Sequence, residues 1–95
     1  MDINYELYKV FYYVASTLSF SEASKQLFIS QSAVSQSIKA LEKKLDQTLF
    51  IRSTKKVRLT TEGEILLRHI EPAISLIKRG ESQLLDVGVR GGQLH

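Results

Sequence analysis

The chain contains no cysteine. That excludes a disulfide framework and thiolate metal sites, and it fits a reducing compartment such as the cytoplasm. The single proline is Pro72, and the five glycines all lie at or after residue 63. The first sixty residues therefore lack the usual chain breakers and are expected to be helical or tightly turned. No apolar run approaches the roughly 18 residues needed to span a bilayer. The opening MDINYELYKV carries acids where a secretory signal carries bases, and no apolar h-region follows. Catalytic signatures are missing as well. There is no G-x-S-x-G elbow and no glycine-rich loop after a strand, and His69 and His95 have no thiolate or carboxylate at ligand spacing. No enzyme, metal, cofactor or membrane partner is expected.

What remains is a chain of 95 residues, enough for one domain. Its 43% hydrophobic and 24% charged content argues against wholesale disorder. The net charge of +3 is unevenly placed. From Gln36 to Arg58 there are seven bases and two acids, so this block carries +5 and the rest of the chain −2. A basic block on a near-neutral body is either a polyanion contact or a solvated lysine-rich face.

Periodicity gives the elements. Leu7, Phe11, Val14 and Leu18 share one face of a first helix over about 4–17, capped by Asp2 or Asn4. Ser19 with Glu22 forms a capping-box pattern ahead of a short helix to about Phe28, with Ala23 and Leu27 inward and Ser24 small enough for close approach. Ile29 and Ser30 make a turn, and Ser30 caps a third helix over about 31–45. Val34, Ile38, Leu41 and Leu45 lie within roughly 60° of one another on its core face, opposite Ser32, Gln36, Lys39 and Lys43. Residues 49–52 and 57–59 read as two short strands around the turn 53–56. From Thr60 or Thr61 a long helix runs to about Asp86. Its Gly63, Leu66, Ile70, Ala73, Ile77, Gly80 and Leu84 follow an alternating three-four spacing. At 1.5 Å per residue that helix is about 40 Å long, more than a small globule buries, so a homodimer seam is expected. The competing reading is a helix kinked at Pro72 and folded back on its own core. The tail DVGVRGGQLH is aperiodic and reads as linker or frayed terminus.

Residues 27–38, LFISQSAVSQSI, put short neutral hydrogen-bonding side chains at the start of the third helix. A short helix, a tight turn and a second helix with a polar outer face form a helix-turn-helix. In the major groove Gln pairs with adenine and Ser contacts any base edge or a phosphate. Lys39 and Lys43 further along reach phosphates, and a basic hairpin wing brings Arg52 or Lys55 to the minor groove or the backbone. The competing class is a protein-interaction or dimerisation module whose lysines only solubilise it.

The blocks A-S-x-x-L at 23–27, S-Q-S-A-V-S at 30–35, I-x-x-L-E-x-x-L at 38–45, L-F-x-R at 49–52 and L-T-x-E-G at 59–63 resemble the N-terminal region of LysR-type transcriptional regulators of bacteria. The resemblance covers about residues 3–86. It implies a mainly α fold, a winged helix-turn-helix of three helices plus a two-stranded β-hairpin, followed by a long dimerisation linker helix. The expected division is 1–59 for the DNA-binding domain, 60–86 for the linker helix, and 87–95 for a hinge and the start of an effector-binding domain. GGQLH looks like the first strand of that domain, so the chain reads as a fragment of a longer protein; the alternative is a short regulator with a frayed tail.

The resemblance maps base readout onto Gln31, Ser32, Ser35 and Gln36. Ser30, Lys39, Lys43, Arg52, Lys55, Lys56 and Arg58 are expected at the backbone or in a groove. Leu66, Ile70, Ala73, Ile77 and Leu84 are expected in an antiparallel dimer, partly against the first helix. The implied target is double-stranded DNA carrying a short imperfect palindrome near a promoter, with a small-molecule effector acting only through the absent C-terminal domain. The sequence departs from the family where Ser32 stands for a common Pro and Gln36 for a common Arg. Gln36 implies an altered base preference and one phosphate or guanine contact fewer. Ser24 replaces a common Ala and should be structurally neutral. Pro72 lies outside the family pattern and puts the straightness of the linker helix in question.

Overall fold

A computed structural model of the chain describes residues 4–54 and 56–90, with side chains described through residue 86. Four helices and one hairpin follow in the order α1 (Tyr5–Thr17), α2 (Phe20–Leu27), α3 (Gln31–Leu45), β1 (Phe50–Arg52), β2 (Val57–Leu59) and α4 (Thr61–Arg90).

Each helix begins where a small polar side chain satisfies free amides. Asn4 Oδ1 accepts from the amides of Glu6 at 3.0 Å and Leu7 at 3.4 Å. Ser19 Oγ accepts from Glu22 N at 3.0 Å, Ser30 Oγ from Ala33 N at 3.0 Å, and Thr60 Oγ1 from Gly63 N at 3.0 Å. The capping box at Ser19 is half formed. Its amide donates to Thr17 Oγ1 at 3.2 Å, so the partner expected from Glu22 is replaced by the preceding threonine.

Three helices end in left-handed residues that are not glycine: Leu18 (φ 52°), Phe28 (φ 59°) and Asp46 (φ 55°). This reversal takes Leu18 out of the α1 stripe. It is exposed, so of the four residues expected on that face Phe11 and Val14 form the core, Leu7 packs at its edge, and Leu18 does not contribute.

The core lies between α1, α2, α3 and the root of the hairpin. Phe11, Val14, Ala23, Val34, Ile38, Leu41 and Leu49 are buried, and the Phe50 ring lies 5.4 Å from Phe11 and 6.1 Å from Phe20. Strands β1 and β2 pair antiparallel, Phe50 with Leu59, Ile51 with Arg58 and Arg52 with Val57. Ser53 closes the turn, its amide donating to the Lys56 carbonyl at 2.8 Å and its Oγ accepting from Lys56 N at 3.0 Å.

Glu42 ties α3 to the hairpin. Its Oε2 accepts from the amides of Leu49 at 2.7 Å and Phe50 at 3.3 Å, two buried residues. A carboxylate makes stronger bonds there than a neutral amide. Glu42→Gln is therefore expected to destabilise the chain by about 1 kcal/mol in urea denaturation. An unchanged midpoint would contradict this role.

Helix α4 is one helix through Pro72 and continues to Arg90, four residues beyond the expected end. Pro72, which has no amide to give the ladder, is exposed. The expectation that 86–95 is all linker is thus corrected for residues 86–90; the GGQLH segment and Asp2 lie outside the described residues. The helix does not fold back. It is held to α1 through Ile74, which is 3% exposed, and through Lys78, whose Nζ lies 5.6 and 5.4 Å from the Tyr12 and Tyr13 ring centres. The molecule extends over 53 × 28 × 20 Å.

Gly63 does not belong to an intermolecular seam. It is buried, and a Cβ there would press into the Leu49 carbonyl oxygen and stand 2.8 Å from Leu59 Cδ2. Its small size serves the join between hairpin and α4. Gly80 has open space around it.

Candidate nucleic-acid interface

Helix α3 separates its two faces cleanly. Val34, Ile38 and Leu41 are buried, while Gln31, Ser32, Gln36, Lys39 and Lys43 are exposed and Ser35 is half-buried at the boundary. Ser30 caps the helix, and its Oγ lies 3.3 Å from Ser32 Oγ. The α2–α3 turn is tight because Phe28 adopts the left-handed conformation, and the Ile29 amide then reaches the Ser24 carbonyl at 3.1 Å. Phe28 is 93% exposed beside Ser30.

The hairpin divides the bases that the sequence groups together. Alternate residues of a strand face opposite sides. Arg52 therefore shares its side with buried Phe50, and Arg58, paired with Ile51, lies on the other. Arg52 turns inward to α2 and α3. Its Cζ stands 3.9 Å from the Phe20 ring centre, and Nη1 donates to Ser35 Oγ at 3.4 Å. Lys56 is exposed at the turn, where a polar notch opens between Ser19, Phe20, Arg52, Ser53 and Thr54. Lys55 lies outside the described residues. The structure thus brings the α3 polar face, Arg52 and Lys56 together and sets Arg58 apart from Arg52.

A second surface lies between α1 and α4. Tyr5 and Tyr8 with Leu66, Ile70, Ala73 and Ile77 of α4 line an apolar groove of about 350 Å³. Leu66 and Ile70 are half-buried against the core, Ala73 is exposed, Ile77 is 41% exposed and Leu84 is 74% exposed.

Among the described residues no cluster of three His, Asp or Glu side chains could hold a metal ion, and no helix is long and apolar enough to cross a membrane. His69 Nδ1 lies 3.0 Å from the Ile65 carbonyl oxygen.

Residues 5–64 match the family model for bacterial regulatory helix-turn-helix proteins of the lysR family. This chain belongs to the LysR family. The HTH-type transcriptional regulator PerR of Escherichia coli K12 is 42% identical over 74 residues, 78% of this chain and 25% of PerR. The BenM DNA-binding domain, solved with catB site 1 DNA, has the same fold, with a TM-score of 0.82 at 24% identity over 98% of this chain and 100% of that one. DarR of Vibrio fischeri, solved in complex with DNA, gives a TM-score of 0.77 at 27% identity over 97% of this chain and 32% of that one. The chain therefore spans about a quarter of the length of the curated relative it matches, and its fold is that of a LysR winged helix followed by a long helix.

Proposed function

We propose that the chain is the sequence-specific double-stranded DNA-binding part of a LysR-type regulator, acting as a homodimer on an imperfect palindrome near a promoter, in the cytoplasm and without enzymatic activity. The observation that carries this reading is the α3 face, where Gln31, Ser32, Gln36, Lys39 and Lys43 are exposed together over a helix whose other face is the core. Relatives of the same fold solved with DNA support it.

In this reading Gln31, Ser32, Ser35 and Gln36 meet base edges, Ser30, Lys39, Lys43, Lys55 and Lys56 meet phosphates, and Arg52 lies at the backbone or the minor groove. Arg58 serves the backbone from the far side of the wing. Residues 1–59 form the reader, 60–86 the dimerising part of α4, and 87–95 lead into an effector-binding domain through which a small molecule acts. The α1–α4 groove is where the partner's α4 lies.

Base and phosphate contacts separate by mutation. Gln31→Ala is expected to relax preference at one base pair of each half-site by about 1–3 kcal/mol. Lys39→Ala is expected to weaken all duplexes alike and to lower the salt slope by about 1. Titration of specific and random duplexes reads both, and an equal loss on both duplexes for Gln31→Ala would overturn its assignment. A chain that bound no duplex would instead be a protein-interaction module.

A further inference from the structure

We infer that Ser35 reads a hydrogen-bond acceptor on a base edge, and that Phe20 and Arg52 are the positioning residues that set this polarity. The inference rests on the proposed readout by α3 and adds to it the chemical sense of one contact. A serine hydroxyl offers one donor and two lone pairs, so by itself it tolerates either kind of base group. A guanidinium has only donors. The 3.4 Å contact from Arg52 Nη1 therefore makes Ser35 Oγ the acceptor and turns its O–H away from the wing.

The positive charge beside the oxygen opposes the approach of a second donor such as the cytosine amino group. It favours a purine N7, guanine O6 or thymine O4. Arg52 is exposed, and the ring beneath it holds it at this place. It stacks over the buried Phe20 ring at 3.9 Å, and Phe20 is itself held edge-on by Phe50 at 6.1 Å. The platform, the guanidinium and the hydroxyl come from α2, β1 and α3. The wing thereby acts on specificity through an exposed side chain that reaches back to α2 and α3.

The test uses duplexes selected by this chain. Ser35→Ala first locates the base pair concerned, as the one where preference relaxes. There the acceptor is removed from the DNA, by 7-deazapurine for N7, by 2-aminopurine for guanine O6 or, where thymine faces the helix, by 5-methyl-2-pyrimidinone, which lacks O4. The unaltered chain is expected to lose about fivefold in affinity, the worth of one hydrogen bond, and Ser35→Ala none. Arg52→Ala removes both the donor and the charge, so the hydroxyl is free to turn; it should stay sensitive to the lost acceptor but now take a cytosine amino group at that pair with little loss of affinity. Phe20→Leu should do the same, and Phe20→Tyr should restore the rejection. Unchanged rejection of the cytosine amino group in Arg52→Ala would overturn the inference, as would dependence of the unaltered chain on that group. If Phe20→Leu fails to fold, Arg52→Ala decides alone. Unchanged preference at every pair in Ser35→Ala would instead remove Ser35 from the readout set, a failure of the proposed function at that residue and not of the relay alone.

Discussion

Gly63→Ala is expected to destabilise the chain by about 3 kcal/mol, although alanine is the better helix former. In the first turn of an unobstructed helix the exchange would gain about 1 kcal/mol. Here the new Cβ meets the Leu49 carbonyl oxygen and Leu59 Cδ2. Backbone cannot give way as a flexible side-chain tip does. The shift would also strain the bonds that fix the start of α4, from Thr60 N to the Leu49 carbonyl at 3.0 Å and from Thr60 Oγ1 to the Thr48 carbonyl at 2.6 Å. Gly80→Ala is the internal control. It meets nothing within 4 Å and should be stabilising by about 0.5–1 kcal/mol. Thermal unfolding of the two variants should move in opposite directions, by roughly 4–8 °C per kcal/mol for a domain of this size. A stabilised Gly63→Ala would mean that hairpin and α4 are not joined as described.

The second large effect concerns Ile77→Glu. Ile77 lines the α1–α4 groove and is 41% exposed, so a charge there costs the lone chain little. If the partner's α4 fills the groove, the same charge is buried without a counterion, which costs several kcal/mol. The expected result is a folded monomer in sedimentation. It should bind a two-half-site duplex about a hundredfold or more weakly, because the second half-site contact is no longer linked to the first. Leu66 and Ile70 are poorer choices, since both also pack on the core and their replacement confounds folding with assembly. A persistent dimer would contradict the groove as the interface.

The parts of this fold that were legible are those written in local chemistry. Asn4, Ser19, Ser30 and Thr60 mark helix starts because a short polar side chain satisfies amides within three residues of itself. The α3 faces follow from angle alone. The ends of the first three helices also fall within a residue of expectation, although Leu18, Phe28 and Asp46 take the left-handed conformation without the glycine that announces it; only α4 runs on, to Arg90. Long-range roles were invisible. Glu42 counted only as an acid within a basic block, yet it holds two amides of the hairpin. Gly63 fits the spacing of a seam, and spacing does not reveal that the neighbour is Leu49 of the same chain. Arg52 reads as a base for the duplex, and its contacts with Phe20 and Ser35 within the chain are not written in local spacing.

The central claim is that α3 and the wing read duplex sequence as a symmetric pair. Selection of bound duplexes from a random pool, at 50 and 200 mM salt, tests it most directly. The account predicts enrichment of a two-fold-related motif, with affinity falling roughly a thousandfold or more across that range as counterions are released from phosphates. Enrichment of a single unrepeated half-site, or duplex binding that is indifferent to salt, would contradict it.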